Sequence, residues 1–243
     1  MEINILHLYH DLLNLYGENG NVRMMAKHLR DQNIEVTVRS SEIGEEINFS
    51  DYDFVYIGSG TEKNQLVALE DLLRYEDDLK LALDQGLVML ATGNSFEIFG
   101  QYINDMDGTI IEGLKIFDFH SKRCNDRVTS DIIYRADFLE KDIVGFVNKM
   151  SCTYDIDNYL FDVKFGVGAN DDSKSEGVRV NNFFGTYTIG PILFRNPFFM
   201  EYLSKIIISN KDEGFVFLDL KNEDQYKAYE IVLSELENRM HKS

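Results

Sequence analysis

The stretch best shaped for chemistry is the apolar run LVMLA at 87–91, followed by Thr92-Gly93-Asn94-Ser95-Phe96. A buried strand turning sharply into a helix is the geometry of a nucleophile elbow, which holds one residue in strained backbone at a helix N-terminus. The helix dipole there lowers a thiol's pKa and stabilises a thiolate. The residue at this turn is glycine, which offers no side chain. On these residues alone, a tight strand-to-helix turn is favoured over a catalytic one.

Gly58-Ser59-Gly60-Thr61 follows a second apolar strand and is able to present backbone N–H groups to an anion or oxyanion. Gly-rich strand ends are also ordinary turns. The cluster Gly17-Glu18-Asn19-Gly20-Asn21 reads as a turn and N-cap, without the Lys-Ser/Thr ending of a phosphate-binding loop. Gly166-Val167-Gly168-Ala169-Asn170 is no dinucleotide fingerprint, because no helix pattern follows it. His7, His10, His28, His120 and His241 form no metal-binding spacing, and surface or cap roles are expected of them. Cys124 and Cys152 form no CxxC pair and have no histidine at ligand spacing, so both thiols are expected to be structural. Neither a metal nor a cofactor is predicted.

The elements that must position these residues alternate. Strands are predicted at 2–8, 34–38, 53–57 and 87–91, and helices at 19–32, 65–84 and 94–102. Val22, Met25, Ala26 and Leu29 share one face of the first helix. This rhythm implies an α/β fold with an open, mostly parallel sheet and ligands at the C-terminal strand edges. The second half is richer in β signals, with strands at 131–134, 143–146, 160–165 and 177–187 and helices at 197–209 and 223–240. No Pro/Gly/Ser-rich linker and no internal repeat interrupts the chain, so one domain over 1–243 is expected.

The 42 acidic against 24 basic residues give a net charge of −18, which argues against nucleic acid or an anionic membrane as partner. Such a charge keeps a protein dissolved, and it also suits docking to a basic surface. No apolar run approaches the ~20 residues that cross a bilayer. The N-terminus lacks the basic region and cleavage site of a signal peptide. A cytoplasmic location without membrane insertion is expected.

In order, these segments resemble one family over nearly the whole chain, the cobyric-acid-synthase-like (CobB/CobQ-type) class I glutamine amidotransferases. Within it the likeness is strongest to the GatD-type subunits of lipid II isoglutaminyl synthase. The resemblance rests on LYHDLLNLYGENGNVRMMAKHLR at 8–30, IGSGTEKNQ at 57–65, EGLKIFDF at 112–119 and DRVTSDI at 126–132. It continues through IVGFVNK at 143–149, FGVGANDDSKSEG at 165–177 and GTYTIGPIL at 185–193. It implies a three-layer, flavodoxin-like amidotransferase fold, with no cofactor.

The family hydrolyses glutamine and delivers ammonia to a synthetase. A cysteine thiolate attacks the amide, a histidine moves the proton, and backbone N–H groups hold the oxyanion. The family's Cys-Gly-Gly-Tyr-Gln elbow falls on Gly93-Asn94-Ser95-Phe96-Glu97, and its Gly-Thr-Tyr-Leu-His-Gly-Pro segment falls on 185–191. The resemblance therefore puts glycine at the nucleophile position (Gly93) and isoleucine at the base position (Ile189). It makes Arg127 the holder of a substrate α-carboxylate, with Ser59 and Gly60 at the oxyanion. An ordinary surface ion pair is an equally good account of Arg127.

A pseudo-enzyme partnered by a Mur-ligase-like synthetase in cell-wall metabolism, still able to take glutamine or a related amino acid, is the favoured expectation. The alternatives are an active enzyme with a relocated nucleophile, for which Thr92, Ser95 and Cys124 are the candidates, and an amino-acid sensor.

Overall fold

The computed structural model describes residues 1–220 and 222–241. The first half runs β1 (Glu2–Leu8), α1 (Asn19–Asp31), β2 (Glu35–Ser41), β3 (Phe54–Ile57), α2 (Glu62–Leu72), α3 (Glu76–Asp84) and β4 (Val88–Thr92). The second half runs β5 (Tyr102–Asn104), β6 (Ile110–Glu112), β7 (His120–Arg135), β8 (Ile143–Tyr154), β9 (Tyr159–Phe165), β10 (Ser175–Val180), β11 (Phe183–Thr186) and β12 (Thr188–Ile189). It closes with α4 (Ile192–Arg195), α5 (Pro197–Lys211) and α6 (Glu223–Met240).

One sheet of twelve strands results, ordered β12-β8-β7-β9-β10-β11-β4-β3-β1-β2, with β5 and β6 branching from β7. From β2 to β11 every pairing is parallel. All residues of β3 (FVYI) and β4 (VMLAT) are buried, the pattern of strands covered on both faces. Beyond β11 the main ladder turns antiparallel, and β7 and β8 form a long two-stranded ribbon. The α/β class and the β-rich second half match what the sequence implies.

β7 and β8 run well beyond the strands predicted at 131–134 and 143–146, and β5, β6 and α4 have no predicted counterpart. Three predicted elements differ in kind or continuity. The helix predicted at 65–84 breaks into α2, a 3-10 turn at Leu73–Tyr75, and α3. Glu76, Asp77 and Asp78 crowd the first turn of α3, where carboxylates favour a helix start. The segment predicted as a helix at 94–102 is a 3-10 helix, Gly93–Phe99, leading into β5; all but Asn94 of its residues are buried, leaving no solvent face for an amphipathic α-helix. The strand predicted at 177–187 is the β10–β11 hairpin, turning at Asn181, which takes φ +51°.

Candidate functional site

The C-terminal ends of β3 and β4 meet where the sequence reasoning placed the chemistry. The loop after β1 lies over the turn at 58–60. Leu15 donates its N–H to the Ser59 carbonyl (3.0 Å), and a Cβ on Gly58 would overlap the Leu13 carbonyl. Glycine is needed there because backbone passes against backbone.

Gly93 has φ +64°, the left-handed region that side chains rarely adopt. A Cβ on it would overlap Ser59 Cβ and Oγ and come within 3.0 Å of Ile189 Cγ2. Residues 93 and 189, nearly a hundred positions apart, are therefore neighbours. Ser59 occupies the space into which a longer side chain at 93 would project.

The turn at 58–60 does not offer free N–H groups, contrary to the sequence-based expectation for Ser59 and Gly60. The Ser59 N–H donates to Glu18 Oε2 (2.8 Å), and the Gly60 N–H donates to Asn94 Oδ1 (3.2 Å). Asn94 also donates from Nδ2 to the Gly60 carbonyl (3.0 Å), so its carboxamide pairs with residue 60 as a neighbouring strand would. Ser59 Oγ donates to Asn94 Oδ1 (3.2 Å). Burial raises the Glu18 carboxyl to about 8, only partly offset by the N–H groups of Ser59 and Tyr16. A largely neutral acid thus sits on this donor at pH 7.

Beside this knot lies a cavity of about 210 Å³ whose lining includes Ser59, Gly60, Gln65, Glu97, Arg127 and Lys149. The three residues assigned to substrate binding by the resemblance thus line one cavity. Arg127 Nη1 donates to Asn148 Oδ1 (2.8 Å), Nη2 lies 3.0 Å from Met150 Sδ, and Glu62 Oε1 is 3.8 Å away. Its guanidinium remains half exposed. The Glu97 carboxyl is 1% exposed and raised by burial, and it accepts from Gln65 Nε2 (2.9 Å). Gln65 Oε1 in turn accepts from Arg123 Nη2 (3.0 Å).

Lys149, 6% exposed, donates to the carbonyls of Gly168 (2.7 Å) and Ala169 (2.8 Å) and lies 4.5 Å from the Tyr187 ring centroid. Burial lowers its pKa. The glycine-rich stretch at 166–170 therefore serves as a carbonyl cradle for a buried ammonium. A larger groove of about 1140 Å³ between α1, α4 and α6 contains none of these residues.

The alternative nucleophiles are engaged elsewhere. Thr92 Oγ1 is 2.7 Å from Tyr56 OH, and Ser95 Oγ donates to the Thr92 carbonyl (2.9 Å). Cys124 lies on β7, with Sγ 3.4 Å from Cys152 Sγ. That pairing was not legible in a spacing of 28 residues.

Two histidines depart from the surface or cap roles expected of them, whereas His241 is exposed at the C-cap of α6. His7 and His28 are buried, and the His7 pKa is pushed down to about 4 by burial and by His10. His120 stacks between Tyr102 and Tyr154. Among the described residues, no group of three or more His, Cys, Asp or Glu side chains is placed to hold a metal ion. No helix among them is long and apolar enough to cross a membrane.

The crossover sheet, the left-handed glycine turn after β4 and the glycine turn facing it define a class I glutamine amidotransferase fold. The chain belongs to the CobB/CobQ-like glutamine amidotransferase domain family, whose pattern matches residues 4–197. It is 34% identical over 242 residues to the Staphylococcus aureus lipid II isoglutaminyl synthase (glutamine-hydrolyzing) subunit GatD, covering 100% of this chain and 99% of that protein. It is 31% identical over 238 residues to the Streptococcus pneumoniae GatD subunit, covering 96% of this chain and 88% of that one. A solved glutamine amidotransferase overlays with a TM-score of 0.53 at 13% identity, covering 83% of this chain and 98% of that structure, which bears on the fold alone.

Proposed function

We propose that this chain is a GatD-type subunit that does not hydrolyse glutamine, pairs with a Mur-ligase-like synthetase subunit of cell-wall metabolism, and keeps a cavity for glutamine or a related amino acid. One observation carries it. Gly93 and Ile189 are adjacent at the elbow, and neither has an ionisable atom. Two further contacts point the same way: the N–H groups of Ser59 and Gly60 are taken by Glu18 and Asn94. The likeness to two GatD subunits over nearly the whole chain supports the partner and its pathway.

Co-expression with a Mur-ligase-like synthetase subunit is expected to give one complex that survives gel filtration at micromolar concentration. Two separate peaks would remove the partner from the proposal. Within the cavity, Arg127 is the residue assigned to the ligand's carboxylate. A charged hydrogen bond of this kind contributes roughly 1.5–3 kcal/mol, so Arg127→Ala should weaken glutamine binding about tenfold or more in calorimetry. Equal affinities for the two proteins would take Arg127 out of the site.

A further inference from the structure

The two cysteines belong to neither the elbow nor the proposed chemistry, yet the fold brings them together. Cys152 lies on β8 opposite Lys122 of β7, and the β7–β8 register slips between Arg123 and Val128, the stretch that contains Cys124. The thiols are free and their sulfurs are 3.4 Å apart. Cys124 is partly exposed and Cys152 is buried, so a dissolved oxidant meets Cys124 first.

The slipped stretch also carries side chains to the cavity. Arg123 precedes Cys124 and donates to Gln65, while Arg127, three residues after Cys124, lines the cavity. On the facing strand, Ser151 precedes Cys152 and lines the same cavity.

We propose that Cys124 and Cys152 form a dithiol–disulfide site that clamps the irregular part of β7 onto β8, and with it the Arg123 and Arg127 side of the cavity. The oxidant class is a small-molecule disulfide such as glutathione disulfide. The Cys124 thiolate attacks one sulfur, forming a mixed disulfide and expelling one glutathione thiolate. The Cys152 thiolate then attacks the Cys124 sulfur and expels the second. The two protein thiol protons end on the two glutathiones, the protein pair is oxidised, and the reagent is reduced. The sulfurs must close to about 2.05 Å, and a stretch whose register has already slipped is the part of the ribbon best able to move. Burial and the neighbouring Cys152 raise the Cys124 thiol, so exchange is slow and is followed to equilibrium overnight.

The folded full chain is incubated with glutathione disulfide and read by intact mass and by exchange of backbone amides with deuterium. The mass is expected to fall by that of two hydrogen atoms, with the chain unlinked to other copies, and to return on treatment with dithiothreitol. Cys152→Ser is expected to keep one glutathione adduct instead. Amides at 123–128 should exchange about tenfold more slowly in the oxidised protein, while those of α1 stay unchanged. An unchanged mass, a lasting adduct on the unsubstituted chain, or dimers linked between copies would each overturn the pair. A disulfide that leaves exchange at 123–128 unchanged would overturn the clamp. None of these readouts uses glutamine or a partner, so the result is independent of the proposed function.

Discussion

Purified protein given glutamine, alone or with the proposed synthetase subunit, is expected to release no ammonia above the buffer background. A working member of this class turns over at ~1 per second or more, so the expected difference is among the largest that any assay of this chain would show. Gly93 has no nucleophile and Ile189 no proton acceptor. The nearby Thr92 hydroxyl is held between Tyr56 and the largely neutral Glu18 carboxyl, and the Ser95 hydroxyl donates to the Thr92 carbonyl. Supplying the two missing groups is not sufficient. Gly93→Cys with Ile189→His should recover a trace at most, because the Ser59 and Gly60 N–H groups are already engaged and loss of one oxyanion donor costs about 10²–10³ in rate. Ammonia release that follows the protein through purification at enzymatic rates would overturn the inactive assignment. Its disappearance in Thr92→Ala or Ser95→Ala would then identify the relocated group.

Gly93→Cys is expected to destabilise the fold by about 1–3 kcal/mol from the left-handed backbone alone. For a chain of this length each kcal/mol lowers the melting temperature by roughly 2–4 °C. The added Cβ would also overlap Ser59 Cβ and Oγ, so the loss should lie at the upper end of that range. Removing the obstruction tests the geometry directly. The double substitution Gly93→Cys with Ser59→Gly should lose less than the sum of the single changes, a coupling of about 0.5–3 kcal/mol for groups in contact. Calorimetric melts decide the matter. Gly93→Cys melting at or above the unsubstituted protein, or strictly additive losses, would show that residue 93 is neither strained nor packed against Ser59.

What the sequence disclosed and what it concealed divide along a physical line. The runs at 54–57 and 87–91 are continuously apolar because both faces of β3 and β4 are covered, and a covered strand is legible from composition. A glycine directly after such a strand marked the elbow at 93. The 16-residue β7 was legible only at 131–134, since its earlier part (HSKRCNDRVTS) is mostly polar and faces solvent along much of its length. The break at Leu73–Tyr75 was signalled by three consecutive acids, Glu76 to Asp78, without a Gly or Pro to announce it. In the site, the positions of Gly93 and Ile189 came from local motifs. The hold of Glu18 on Ser59, across 41 residues, and of Asn94 on Gly60, across 34, came from the fold alone. No spacing rule reaches that far.

The mutual fit of Gly93, Ser59, Asn94 and Ile189 makes this corner of the protein a ratchet. Cysteine at 93 would meet the Ser59 side chain, while Ser59→Gly alone would drop a hydrogen bond and leave a gap with nothing to fill it. Histidine at 189 would bury a polar ring without a thiol to serve, and Asn94→Gly would strip residue 60 of both its partners. Each of these single substitutions is therefore expected to lower stability, so this corner accepts change only when several of its residues are substituted together.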